Sequence, residues 1–440
     1  MSGAEAGPFA VFADSFAQQV PFYAITFDED GVCTSPVTQN NLIQAANGAT
    51  DVVVYAHGWN NDWPAAKARF EGFLEGASTL AKTHGSLLPQ GFKPIFVGIV
   101  WPSTALTFSW EDAPDFAGDG AGDGLASNID EAKAIRDLLP PAEIQNFDTL
   151  VATRRNLTVE EARLLARIIA PVLADSDDAS EQTAGFSPED LLSAWRAAPP
   201  IKRSGTGVGS FDDFGTAGDT EAGPQAAGMF DFLDPRHIIR LSTVLLMKDR
   251  AGVVGSNGVG DLVRRLQRET RARIRLIGHS YGAKVVLSAL AQSSPAPLVQ
   301  SVLLLQPAIS HLCFAAKLED GHPGGYRKAL PLVQQPIFST FSSNDFPLYR
   351  VFHYAARRRS DIGEAQIAGT PSRYAALGGY GPSGCSSREC VVAAIAAAGS
   401  PYPARDANVR LLALDGTTGI NGHGDVETPY IAWAFLNQLK

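Results

Sequence analysis

Long apolar runs are missing from this chain. The longest candidate, residues 391–398, falls far short of the roughly 18 to 20 apolar residues that a helix needs to cross a bilayer, so no transmembrane segment is expected. Cysteine is scarce as well. Four cysteines in 440 residues are too few for a disulfide framework and free thiols are expected, although Cys385 and Cys390 lie five apart in a Gly/Ser-rich stretch where a bridge is open to them. Basic charge is the minority sign, with 36 Lys and Arg against 46 Asp and Glu and a formal net charge of -10. Phosphate recognition needs clustered cations, so no nucleic-acid partner is expected. The one basic cluster, Arg357-Arg358-Arg359, reads as a solvated helix end. Residues 1–10 carry no basic residue ahead of an apolar block, so they do not read as a secretory leader, and the cytoplasm is the expected compartment.

Cofactor and metal motifs are also wanting. No Cys/His set has zinc spacing. Asp115 and the run 118–124, alternating Gly with Asp and Ala, invite a calcium reading but lack the further acidic ligands and closing Glu at fixed spacing, so a loop is expected there. Gly255, Gly258 and Gly260 come without a Walker lysine or a full dinucleotide fingerprint and read as glycines leading a helix. No metal and no cofactor are predicted, and no internal repeat is visible.

What is present is a compact α/β pattern. Hydrophobic residues make up 45% of the chain and charged residues 19%, and the length suits one core with additions. Short apolar runs at 51–55, 94–100, 273–277, 301–305, 336–341 and 409–414 alternate with helical patterns, the signature of parallel strands with crossover helices on both faces. Residues 22–27 read as an earlier strand in an antiparallel hairpin at the sheet edge. Between Trp101 and Arg271 lies far more chain than a crossover requires. Residues 109–235 are therefore assigned to an insertion, and 1–108 with 236–440 to the core. The insertion opens helical, with a capping box at Thr158-Val159-Glu160-Glu161 and an N-cap at Ser187-Pro188, then turns Gly/Ser/Thr/Asp-rich over 203–228. Helices are predicted over 236–248 and 261–270.

The chemistry concentrates at Gly278-His279-Ser280-Tyr281-Gly282, which follows an apolar strand and precedes a helix-compatible stretch. A sharp strand-to-helix turn holds a serine hydroxyl clear of the backbone, and small residues at both flanks, Gly278 and Gly282, permit the close approach this turn needs. The amide after the serine, that of Tyr281, is then aimed where an oxyanion would form.

With that elbow in place the chain resembles the α/β-hydrolase superfamily, and within it the serine esterases and lipases. The resemblance rests on the elbow, on Tyr55-Ala56-His57-Gly58-Trp59-Asn60 after an early strand, and on the chain order serine, acid, histidine. It implies an α/β-hydrolase fold with a mostly parallel sheet and with the insertion as a cap or lid. It also implies that the His57-Gly58 loop supplies a second oxyanion donor, the Trp59 N–H, alongside Tyr281 N–H; the plain alternative is a strand-ending turn. The orienting acid should follow a strand after the nucleophile, and Asp345 is favoured, with Asp320 and Asp415 as rivals. Of eight histidines, His423 alone has the expected setting, a glycine-rich loop after the last strand and before a C-terminal helix. His57 and His279 are expected to act through their backbones, the His279 side chain turned away from the serine hydroxyl. The expected activity is hydrolysis of a small-molecule or lipid-like carboxylic ester through an acyl-enzyme. An acyltransferase or amidase on the same three residues, or a non-catalytic binding protein on the same scaffold, are the rival readings.

Overall fold

The computed structural model describes residues 7–59, 61–103, 132–153, 156–174, 187–189, 191–192, 235–291, 298–319, 321–351, 375–403 and 408–440. The acidic glycine run 118–124, the stretch 203–228, Asp320 and the arginines 357–359 lie outside them.

Strand β1 (Ala10–Ser15) turns back into β2 (Gln18–Thr26), and α1 (Pro36–Ala46), β3 (Asp51–Ala56), α2 (Trp63–Thr83) and β4 (Pro94–Val100) follow. Helices α3 (Pro141–Val151) and α4 (Val159–Ala174) belong to the long connection. Helix α5 (Pro235–Val253) passes through a π-helical stretch, Val254–Val259, into α6 (Gly260–Glu269). Then come β5 (Arg273–His279), α7 (Tyr281–Ala291), β6 (Ser301–Leu305), β7 (Ile337–Phe341), β8 (Cys390–Ala394), β9 (Leu411–Asp415) and α8 (Pro429–Gln438).

Among the described residues the strands form one nine-stranded sheet in the order β1-β2-β4-β3-β5-β6-β7-β9-β8. Only the β1–β2 pair is antiparallel. Successive side chains of a strand point to opposite faces, and β3 shows the consequence. Val52, Val54 and Ala56 pack with Leu42 of α1, Ile238 of α5, Leu262 of α6 and Val285 of α7. Val53 and Tyr55 pack on the other side with Phe70 and Phe73 of α2 and Phe435 of α8. Burial on both faces is why the central runs are continuously apolar rather than alternating. Phe147, Leu150, Leu165 and Ile169 of α3 and α4 join the first of these clusters. The capping box forms as expected: Thr158 N–H donates to Glu161 Oε2 at 2.7 Å and Glu161 N–H to Thr158 Oγ1 at 3.2 Å.

Three features carry more detail than the sequence shows. The expected antiparallel hairpin lies at the sheet edge as β1 and β2; its second strand begins at Gln18 rather than Phe22 and pairs in parallel with β4 on its other side. Part of the apolar run 391–398 is an edge strand, β8, parallel to β9; its half-exposed alternation hid it among alanines. Gly255 and Gly258 lead into α6 as expected, through the π-helical stretch, where a Cβ at 255 would come within 2.9 Å of Val285 Cα, so glycine lets this segment press against α7. Among the described residues no helix is long and apolar enough to cross a membrane.

Candidate active site

Three strand ends converge at the carboxyl edge of the sheet. β5 stops at His279, and Ser280 follows in the left-handed region with φ 55°, a conformation that costs a non-glycine residue about 1–2 kcal/mol. Hydrogen bonds on both sides hold it there. Ser280 N–H donates to Leu305 C=O at 3.0 Å, and the Ser280 carbonyl accepts from Ala283 N–H at 3.1 Å and Ala308 N–H at 3.2 Å. Glycine is obligatory on both flanks of the turn. A Cβ at 278 would stand 2.5 Å from Gly282 O and 2.6 Å from Ala283 Cα, and one at 282 would collide with the carbonyl of Ala56 and sit 2.6 Å from that of His57.

Asp345 follows β7, and His423 lies in the loop between β9 and α8. His423 Nδ1 is 2.7 Å from Asp345 Oδ2 and its Nε2 is 2.9 Å from Ser280 Oγ. A carboxylate facing Nδ1 fixes the tautomer: Nδ1–H donates to Asp345, leaving the Nε2 lone pair to accept the serine proton. Asp345 is itself pinned, its Oδ1 accepting Leu348 N–H at 3.1 Å. With Ser280 1%, His423 4% and Asp345 0% exposed, these bonds operate in a low-dielectric interior where each is strengthened. The rival Asp415 is spent on its own turn, accepting Thr417 N–H at 3.0 Å and Thr417 O–H at 2.7 Å.

The loop after β3 packs directly on the elbow, since a Cβ on Gly58 would lie 2.9 Å from Ser280 Cβ. Its carbonyls are engaged elsewhere. Gly58 C=O accepts from His57 Nδ1 at 2.9 Å and Asn61 Nδ2 at 3.2 Å, and Trp59 C=O accepts from Asn61 Nδ2 at 2.8 Å. Because N–H and C=O point oppositely across a trans peptide, drawing the Gly58 carbonyl toward Asn61 turns the Trp59 N–H to the other side. Tyr281, the second expected donor, is the first residue of α7, where an amide has no intrahelical acceptor.

His57 and His279 do more than their backbones were expected to do. His57 Nδ1–H holds the Gly58 carbonyl, its Nε2 accepts from Trp101 N–H at 3.4 Å, and its ring stacks on Trp101 with centroids 5.7 Å apart. Burial above all pushes this imidazole down to about 4, with Arg69 acting in the same sense and the Gly58 hydrogen bond opposing. His279 Nε2–H donates to the His423 carbonyl at 2.9 Å. Burial, then the neighbouring His423, hold the His279 imidazole well below its ordinary value, so it stays neutral. Its Nδ1 lies beside Gly58 and, among the described residues, meets no hydrogen-bond partner.

Other parts of the site carry no motif. Arg69 on α2 donates from Nε to Asn61 Oδ1 at 3.1 Å and from a terminal nitrogen to Gly424 C=O at 3.1 Å, joining the Gly58 loop to the histidine loop. Gln306, the residue after β6, reaches the histidine loop as well. No local sequence signal marks either residue. Among the described residues no group of three or more His, Cys, Asp or Glu side chains is arranged to hold a metal ion. None of the four cysteines is in a disulfide, and Cys385 Sγ donates to Phe314 C=O at 3.1 Å. Comparison of the chain with protein-family models, with curated proteins and with solved structures found no match.

Proposed function

We propose that this protein is a serine hydrolase of the α/β-hydrolase type that cleaves carboxylic esters through an acyl-enzyme, with Ser280 as nucleophile, His423 as base and Asp345 as its orienting acid. One observation carries the reading. A strained, left-handed serine at a strand end lies 2.9 Å from an imidazole whose other nitrogen is 2.7 Å from a fully buried carboxylate. A hydroxyl becomes a useful nucleophile only when a positioned base takes its proton, and a base is positioned only when its far side is held.

The steps follow from that geometry. His423 Nε2 removes the Ser280 proton as Oγ bonds to the ester carbonyl carbon. Asp345 stabilises the imidazolium, and the negative charge on the former carbonyl oxygen is received by the Trp59 and Tyr281 amides. The imidazolium returns its proton to the departing alcohol. Water, deprotonated by the same nitrogen, then releases the acid and regenerates Ser280. The left-handed turn at 280 and the outward-turned peptide at 58–59 support both donor assignments. A fluorophosphonate probe tests the reading: the protein should be labelled covalently and stoichiometrically, and Ser280→Ala not at all. A folded wild-type protein that resists the probe under all conditions would overturn it.

A further inference from the structure

We propose that Gln306 is a positioning residue for His423, setting the reach of the imidazole by clamping the backbone of the histidine loop; the proposal rests on the serine-hydrolase reading above. Among the described residues only four without a glycine's freedom have positive φ: Phe16, Ala17, Ser280 and Gln306. Phe16 and Ala17 form the two-residue turn between β1 and β2, where left-handed backbone matches the twist of a hairpin. Ser280 and Gln306 have no such excuse, and they are neighbours. His279 pairs with Leu305 across β5 and β6, so both strained residues leave parallel strands at the same level.

Gln306 is the less expected of the two. Its φ is 39°, and it precedes Pro307, a position that disfavours compact backbone and pushes the preceding residue toward extended values. Such a conformation persists only where the surroundings over-determine it. Here they do. Gln306 N–H donates to Thr340 Oγ1 at 3.0 Å, and the Thr340 hydroxyl lies 3.4 Å from Gln306 Oε1, which assigns the amide oxygen to that side. Gly378 presses on the turn from outside, where a Cβ would come within 2.5 Å of the Gln306 carbonyl carbon.

The strain delivers the amide nitrogen to the histidine loop. Nε2 donates to Gly422 C=O at 3.1 Å and to His423 C=O at 3.0 Å, so both amide hydrogens are used on consecutive carbonyls. His279 Nε2–H supplies the second donor to the His423 carbonyl. The loop needs this help because His423 stands between Gly422 and Gly424, and glycine on both sides leaves the backbone with little preference of its own. Gln306 is fully buried and touches the loop backbone only, not the reacting atoms. A misplacement of about 1 Å in a catalytic group lowers rates by about 10²-fold, and that is the scale at stake.

The decisive experiment pairs two readouts on Gln306→Met, which keeps length and removes both donors. The low-field proton resonance of His423 Nδ1–H against Asp345, assigned by its loss in His423→Gln, should shift or broaden. The rate of fluorophosphonate labelling at Ser280 should fall by about 10²-fold, and kcat for a turned-over ester should fall alike while KM moves by less than about twofold. Thr340→Val, which frees the Gln306 amide without touching the histidine loop, should lower the rate about tenfold, and Thr340→Ser should restore it. A resonance and a labelling rate unchanged in folded Gln306→Met, with wild type labelled, would overturn the inference and leave the hydrolase reading intact. An altered resonance in a protein whose wild type is never labelled would sink the hydrolase reading and retain Gln306 as the residue that sets His423. Should Gln306→Met not fold, a Thr340→Val protein with wild-type rate and resonance overturns the inference by itself.

Discussion

The two ends of the sheet bury polar groups in opposite ways. At the amino end Asp51 is enclosed completely, and each of its oxygens is satisfied: Oδ1 accepts from Arg275 Nε at 2.8 Å, Oδ2 from Arg273 at 2.7 Å and from the Thr50 hydroxyl at 2.8 Å. Arg275 spreads its remaining donors over Ser301 Oγ at 3.2 Å, Leu439 C=O at 3.2 Å and the Gln438 carbonyl, tying the C-terminal helix to the central strands. Charges are paired, and Asp51 and Arg275 sit within strands rather than at strained turns. At the carboxyl end the buried groups are imidazoles, amides and the carboxylate of Asp345 around a serine and a glutamine held at positive φ, with His279 Nδ1 left without a partner among the described residues. One end is arranged to be stable and the other to be poised. Strain and unsatisfied valence persist where geometry has a use.

Substitutions at the two ends should therefore separate rate from stability. The largest effect belongs to Asp345→Asn, which keeps shape but presents the wrong partner to Nδ1; kcat for an ester substrate should fall about 10⁴-fold with the unfolding midpoint little changed. Next is Asp51→Ala. It leaves Arg275 buried without its counter-charge and should destabilise the fold by about 3–5 kcal/mol in urea titrations, while the folded fraction labels at the wild-type rate. If Asp51→Ala instead abolished labelling in folded protein, the division between the two ends would not hold.

A pH titration sharpens the contrast. His57 is held at about 4 in the fold against an ordinary 6.5, so the unfolded chain takes up the proton first as the pH falls. The stability tied to a neutral His57 is complete above about 6.5 and drains away down to about 4, a total of about 3 kcal/mol. His279 adds a loss of the same sign over a window opening at the same upper limit. Denaturant midpoints measured from pH 7.5 to 4.5 should fall accordingly, and replacing His57 with Gln should flatten the curve. The smallest effect concerns backbone strain: Ser280→Gly should stabilise the fold by about 1 kcal/mol because glycine adopts positive φ freely. A destabilised glycine variant would mean that the turn at 280 holds no strain.

How much of this was legible in the sequence depended on whether a residue's role was set by its neighbours in the chain. The elbow was visible because strand, glycines, serine and helix are contiguous from Arg273 to Ala291. His423 and Asp345 could be picked out because each follows a strand, and strand ends in a parallel sheet share one edge. Edge strands were harder. β8 reads as a run of small apolar residues, and only its pairing with β9 makes it a strand. Gln306, Arg69 and Thr340 were invisible because their meaning lies in partners remote along the chain: Gln306 meets His423 across 117 positions and Arg69 meets Gly424 across 355. The side-chain roles of His57 and His279 were missed for a related reason, since a motif defined by backbone donors says nothing about where its imidazoles go.

The most direct measurement is the intact mass of the protein quenched during turnover of an activated ester, followed by peptide mapping. One acyl group per chain should be carried on the peptide containing Ser280, accumulating in an initial burst and absent from Ser280→Ala. Ester turnover by pure protein with no acyl adduct, or with the adduct on another residue and full activity in Ser280→Ala, would contradict the account.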